Sequence, residues 1–191
     1  MSTRVIAGIA KGHRLQMVPG DSTRPITDKA KESLFNIINQ HIVDASVLDL
    51  FGGIGAVGIE ALSRGASYVL FTEKNRLAVK TIHENLETTR LKDKADVQMI
   101  DAFDLLKNAP PREFDFIYVA PPQYKGMWLN MLRALDNSPA WLTPHTTVIV
   151  QIDPREREDV LFNYLRDYDQ RRYGKTLLWF FETMVDDEGE A

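Results

Sequence analysis

The sequence predicts an α/β protein built on a doubly wound, mostly parallel sheet, and three observations carry that prediction. Short β-rich runs alternate with stretches of helical spacing through the middle of the chain. The runs are unbroken apolar stretches rather than alternating ones, the pattern of parallel strands covered on both faces. A glycine-rich connection, "FGGIG", leaves the first run and enters a helix. Ligands of such sheets sit at the carboxyl ends of the strands, so the residues just after each run matter most.

In chain order, "RVIAGIAKGHRLQMV" reads as a small hairpin turned at Lys11 and Gly12. "TDKAKESLFNIINQH" then opens on an N-cap signal at Thr27 or Asp28 and spaces Leu34, Phe35, Ile37 and Ile38 for one buried helix face. Residues 1–41 are therefore expected to form an extension to the body, which spans residues 42–185. In the body, the strand candidates are "SVLDLF", "SYVLFT", "ADVQMI", "FDFIYVA" and "TTVIVQI". Helical spacing fills the gaps in "AVGIEALSR", "RLAVKTIHENLETTR", "AFDLLKN" and "GMWLNMLRAL". Beyond the fifth run, "REREDVLFNYLRD" reads as helix, and "YDQRRYG" with "KTLLWFFET" as an antiparallel hairpin around Gly174. Residues 186–191 read as an acidic, disordered tail.

Composition narrows the function. With 191 residues, 44% hydrophobic and 26% charged, the chain holds enough apolar material for one ordinary core. It has no cysteine, which excludes disulfide scaffolds, thiolate metal sites and cysteine nucleophiles. His13, His41, His83 and His145 lack metal-ligand spacing, and no metal is expected. No apolar run reaches the ~20 residues of a membrane span, and the opening lacks the apolar core of a signal peptide, so a cytoplasmic location is expected; separately, a monomer is expected. Net charge is −4, but residues 1–31 hold Arg4, Lys11, Arg14, Arg24, Lys29 and Lys31 against Asp21 and Asp28. That local basic excess is the natural place for phosphate contact, while Arg24 and Lys31 have a packing alternative as anchors of the first helix.

The chemistry is read from strand ends. Asp49 closes the first run, and Gly52, Gly53, Gly55 and Gly58 follow, giving positive-φ freedom and a bare backbone beside a helix N-terminus. Gly53, Gly55 and Gly58 also satisfy the dinucleotide spacing G-x-G-x-x-G, so a nicotinamide cofactor competes for this loop. Asp49 suits a cationic amino-acid ligand, such as the methionine end of S-adenosylmethionine, and would repel a pyrophosphate. Glu73 closes the second run, where a carboxylate can bind both hydroxyls of a ribose. Asp101 follows the third, placed to accept from an adenine amino group.

Taken together, Asp49 to Gly55, Glu73, Asp101 and the "PP" after the fourth run resemble the class I S-adenosylmethionine-dependent methyltransferases. "TRPITDKAKESLFNII" followed by "LDLFGGIGAVGIEALSRGAS" is more narrowly similar to the RsmD-type 16S ribosomal RNA guanine-N2 methyltransferase family. That family carries an R-P-x-T-D-x-x-K/R-E-x-L-F-N segment, matched by Arg24, Pro25, Thr27, Asp28, Lys31, Glu32, Leu34, Phe35 and Asn36. The likeness runs over roughly residues 4 to 183. It implies a seven-stranded Rossmann-like sheet with a C-terminal antiparallel hairpin, and it extends the cofactor set to Phe51, Lys74 and Ala102. The substrate it implies is 16S ribosomal RNA or a small-subunit assembly intermediate.

In that family the fourth strand ends in Asp or Asn, two prolines, and Phe or Tyr. The first side chain and the first proline carbonyl take the two hydrogens of the target amino group, and the aromatic stacks on the flipped base. This chain departs twice, with Ala120 at the acceptor position and Gln123 at the aromatic one. The resemblance therefore assigns the catalytic loop to Pro121, Pro122, Gln123 and Tyr124, with Gln123 as substitute acceptor and Tyr124 as the ring. Methylation of another amino group, such as adenine N6, and a SAM-binding RNA-interaction protein that has lost catalysis stay open beside it.

Overall fold

The structure is a computed structural model describing residues 3–20 and 26–184; Arg24, Pro25 and the acidic tail lie outside the described residues. The expected α/β architecture is present: a mixed seven-stranded sheet, mostly parallel, with helices around it and an antiparallel hairpin at its C-terminal end. A separate two-stranded sheet precedes it. The chain divides into two compact units, Met1–Ala102 and Phe103–Ala191. Among the described residues, no helix is long and apolar enough to cross a membrane.

In the first unit, β1 (Thr3–Arg4) and β2 (Arg14–Leu15) pair antiparallel, and α1 runs Asp28–Ile38. Thr27 caps α1, its hydroxyl accepting from Ala30 N at 3.2 Å, as the sequence signal requires. Strands β3 (Ser46–Asp49), β4 (Tyr68–Thr72) and β5 (Ala95–Gln98) lie parallel in the order β5-β4-β3. They are joined by α2 (Ala56–Ser63) and α3 (Arg76–Thr89). Leu48, Val69, Leu70 and Phe71 are fully buried, which accounts for the continuous apolar runs. Gly58 brings α2 onto β4: a Cβ there would sit 2.2 Å from the Phe71 ring. Gly58, the last of the four glycines, thus serves helix-to-strand packing.

The N-terminal hairpin is stitched to α2. Glu60, fully buried, accepts from Ile6 N at 2.8 Å and Ala7 N at 3.0 Å, and from Arg64 Nε at 2.7 Å. Lys31 Nζ lies 3.4 Å from Glu60 and donates to the Arg4 carbonyl at 2.6 Å. Of the two roles expected of Lys31, phosphate contact and anchoring of the first helix by packing, the phosphate role is overturned, since its side chain is 0% exposed. Desolvation lowers its pKa, offset in part by Glu60 and Asp28, so this lysine is a core strut.

After the short α4 (Ala102–Leu105), the second unit carries β6 (Phe116–Val119), α5 (Met127–Asp136), β7 (Thr147–Ile152), β8 (Leu165–Tyr173) and β9 (Thr176–Thr183). Their order is β6-β7-β9-β8, with β6 and β7 parallel and β9 antiparallel to both its neighbours. The hairpin turns at Gly174, whose φ is +61°, as expected. The helix expected over "REREDVLFNYLRD" does not form. A 3₁₀ turn covers only Pro154–Glu156, and β8 begins at Leu165. The Asp136 carboxylate, at the end of α5, captures the chain by accepting from Asn163 N at 2.9 Å and Tyr164 N at 2.7 Å. Leu161 is left 98% exposed, so the apolar residues of this segment do not share a buried helical face.

Candidate functional site

The first group of site residues surrounds the glycine loop. Asp49 ends β3 and is 2% exposed. Its Oδ1 is buried with no hydrogen-bond partner. Burial pushes the carboxyl up to about 7, opposed by the backbone N–H groups of Gly58 and Phe51 and reinforced by the negative charge of Glu73. A buried acceptor without a donor is expensive to keep. It fits a ligand that brings a positively charged donor.

Beyond Asp49 the loop turns through Gly53 and Gly55, the latter at φ +80° as the N-cap of α2. Glycine is required there because an L side chain strains in that region. Gly52 N donates to Thr72 O at 2.9 Å, tying the loop to the end of β4. Glu73, the next residue, accepts from Gly53 N at 2.9 Å and from Asn75 N at 2.8 Å. Its carboxylate is thereby fixed in direction while each oxygen keeps acceptor capacity, which suits a pair of vicinal hydroxyls. Asn85 of α3 steadies the far side of the loop, donating to Ile54 O at 2.9 Å and Gln16 O at 3.1 Å.

Asp101 and Lys74 pair at 3.1 Å after the ends of β5 and β4, with Lys74 mostly exposed and Ala102 buried behind them. The structure thus brings Asp49, Phe51, Gly52, Gly53, Gly55, Glu73, Lys74, Asp101 and Ala102 to the carboxyl ends of three neighbouring strands. That is the set the sequence singles out, in the place where α/β sheets bind ligands.

The second group follows β6. Pro121 is buried, Pro122 exposed, and Gln123 half-buried. Tyr124 has φ +62°, a left-handed conformation that costs a non-glycine residue roughly 1 kcal/mol, and 60% of it is exposed. Its hydroxyl donates to Asp153 Oδ2 at 2.7 Å and accepts from Arg155 at 2.5 Å. Its N–H donates to Glu156 Oε2 at 2.8 Å, and the Arg155 guanidinium lies 5.3 Å from its ring centroid.

Asp153, Arg155 and Glu156 are not among the residues the sequence singles out: the expected helix takes Arg155 and Glu156, and Asp153 lies just ahead of it. The available signal was position: Asp153 directly follows the fifth strand run, and Asp-Pro is a turn opening. Hydrogen bonds from the Arg155 side chain, then from Tyr124 and the Arg155 backbone, hold the Asp153 carboxyl well below the usual carboxylate range. The Tyr124 phenol is shifted up, first by its bond to Asp153.

The basic residues of the extension divide. Arg4, Lys11, Arg14 and Lys29 are exposed, with Arg4 3.5 Å from Asp28. Lys31 is withdrawn into the core as described.

Comparison with known proteins places residues 3–182 within the family model described as "Conserved hypothetical protein 95". The Bacillus subtilis protein YlbH is 45% identical over 134 residues, 69% of this chain and 72% of that one. "Ribosomal RNA small subunit methyltransferase D" of Haemophilus influenzae is 32% identical over 155 residues, 78% of each chain. Among solved structures, the Escherichia coli protein yhhF superposes with a TM-score of 0.84 at 27% identity, covering 96% of this chain and 98% of that one.

Proposed function

This chain belongs to the conserved hypothetical protein 95 family, in which its relatives include ribosomal RNA small subunit methyltransferase D, and we infer that it is a S-adenosylmethionine-dependent ribosomal RNA methyltransferase. The observation that carries the reading is the buried, partnerless Oδ1 of Asp49 immediately ahead of the glycine loop. Neither an ordinary turn nor a pyrophosphate has use for it; an amino-acid ammonium has. The finer assignment is the exocyclic N2 of a guanine in 16S ribosomal RNA, presented as RNA or as an assembling small subunit in the cytoplasm, and it rests on the RsmD-type motif of residues 24–36.

Bound, S-adenosylmethionine supplies an electrophilic methyl: a carbon–nitrogen bond forms as the carbon–sulfur bond breaks, the sulfonium becomes a neutral thioether, and the surplus amino proton passes to water. Asp49 holds the ammonium, Glu73 the ribose hydroxyls and Asp101 the adenine amino group, with the Gly52 to Gly55 backbone and Phe51, Lys74 and Ala102 completing the cradle. An exocyclic base nitrogen is a weak nucleophile because its lone pair is drawn into the ring, so orientation matters more than acid–base assistance. The Pro121 carbonyl and the Gln123 amide oxygen accept the two amino hydrogens, Pro122 stiffens the loop, and Tyr124 stacks on the base. Arg4, Lys11, Arg14, Arg24 and Lys29 meet phosphates.

Ala120 favours a second reading. Alanine offers no acceptor, so a slow enzyme is expected, and a SAM-binding RNA protein without turnover is its limit. Incubation with tritiated S-adenosylmethionine and small subunits from a strain lacking the gene, followed by nucleoside mapping, separates the cases. N2-methylguanosine supports the assignment, N6-methyladenosine replaces its base, and cofactor binding without label on any RNA or assembly intermediate replaces enzyme by binder. Ala120→Asp or Ala120→Asn should raise the rate of a slow enzyme.

A further inference from the structure

The turn after β7 is built around one exposed tyrosine. Asp153 is 2% exposed, yet all its hydrogen-bonding capacity is spent on partners at the surface. Oδ1 accepts from Arg155 N and Nε, both at 3.0 Å, and Oδ2 accepts from the Tyr124 hydroxyl at 2.7 Å and an Arg155 terminal nitrogen at 3.0 Å. Arg155 in turn donates to the Tyr124 hydroxyl and lies against its ring. Glu156 Oε2 takes the Tyr124 N–H at 2.8 Å. That backbone bond ties the loop to the turn. The further ties fix the ring's own torsions, in a residue whose left-handed backbone aims its side chain away from the path an extended residue would give.

We propose that Asp153, Arg155 and Glu156 are positioning residues that clamp Tyr124 as the platform on which the target base stacks. This rests on the methyltransferase reading above. Asp153 does not itself take a hydrogen from the base, because each of its oxygens already accepts two donors. Arg155 covers part of one ring face, while the 60% exposure of Tyr124 leaves aromatic surface for a flat partner. Holding the ring before the base arrives removes an ordering cost from the step in which a weak nucleophile must be aligned.

The test is single-turnover transfer from tritiated S-adenosylmethionine to small ribosomal subunits, for Tyr124→Ala, Asp153→Asn, Arg155→Ala, Glu156→Ala and Glu156→Gln, and for each clamp variant combined with Tyr124→Ala. The clamp variants should slow transfer about tenfold with S-adenosylhomocysteine affinity unchanged, since only alignment of the base is lost. Glu156→Gln should recover most of the rate, because its amide oxygen still accepts the Tyr124 N–H. In the Tyr124→Ala background no clamp variant should add a further loss. Losses that add in that background, or wild-type rates in both Asp153→Asn and Arg155→Ala, overturn the proposal. A readout independent of catalysis is NMR of carbon-labelled tyrosine, the Tyr124 signal being assigned by its absence in Tyr124→Ala. That signal should move and broaden in Asp153→Asn and Arg155→Ala, and a signal left unmoved in both overturns the clamp. If wild type methylates no RNA, the methyltransferase reading fails by that result alone, and the platform role fails with it even where the NMR shows Tyr124 held.

Discussion

Asp49 and Asp153 are each 2% exposed and each stands at the carboxyl end of a strand, yet their ionisation is driven in opposite directions. Asp49 is pushed up to about 7 because burial is met by two backbone donors only, one oxygen has none, and Glu73 adds negative charge nearby. Asp153 is held well below the usual carboxylate range because Arg155 and Tyr124 answer both of its oxygens. Burial sets the cost of a charge; the supply of donors decides whether the charge survives it. An underserved carboxylate is kept for something that arrives, and a saturated one has already been used by the fold.

The largest expected effect breaks the first half of that contrast. The folded pKa of Asp49 lies above its unfolded value, so below about 3.8 both states hold the proton and there is no penalty. As pH rises from 3.8 to about 7 the unfolded chain releases its proton while the folded one keeps it, and stability falls; above 7 the full cost remains. Asp49→Asn should flatten that fall and leave the free protein more stable above pH 7 by on the order of 4 kcal/mol at most, read by urea denaturation across pH. The same change should weaken S-adenosylhomocysteine binding. Parallel pH curves for the two proteins would show that Asp49 does not carry the shift.

Next in size is Glu73→Ala. Removing a carboxylate that hydrogen-bonds a ligand costs about 1.5 to 3 kcal/mol, so S-adenosylhomocysteine affinity should drop roughly ten- to a hundred-fold by calorimetry. Unchanged affinity in a folded variant would remove Glu73 from the cradle. Asp153→Asn tests the other half of the contrast with the opposite pH sign. Its depressed pKa makes it stabilising above the ordinary carboxylate range, a contribution lost as pH falls through the folded value. The stability gap between wild type and Asp153→Asn should therefore be open at neutral pH and close on acidification, and a constant gap would contradict it.

The smallest effect concerns charges that are neither buried nor spent. Removing Lys11 and Arg14 together should flatten the salt dependence of RNA binding by about 1.5 in slope, with cofactor affinity untouched. A wild-type slope would show that neither residue meets the phosphate backbone. Lys31 belongs to the same stretch of sequence and gives the sharper lesson. Breaking its buried pairing with Glu60 in Lys31→Ala should cost about 3 kcal/mol of stability, measured by urea denaturation, whereas an exposed lysine would cost little.

Much of this was legible from local pattern. Every strand run and nearly every helix lies where the pattern puts it, because unbroken apolar runs record strands covered on both faces and helical spacing records the one face that meets the core. The acids at strand ends were legible for the same reason, since a parallel strand stops where its apolar run stops. The helix expected over residues 155–167 failed because the backbone of this segment answered to other partners. Asp136 took Asn163 and Tyr164, and β9 took Leu165 onward.

By itself the sequence determined the fold class, the glycine loop and the acids around it, all of which depend on backbone conformation and neighbours a few positions away. Only the tertiary structure decided which charges are free to act. Lys31 lost its place on the surface to Glu60, 29 residues on, and Tyr124 gained its clamp from Asp153, also 29 residues away. The energy of a charge is set by the donors, acceptors and solvent around it, and for these side chains all of those come from parts of the chain that local pattern does not connect.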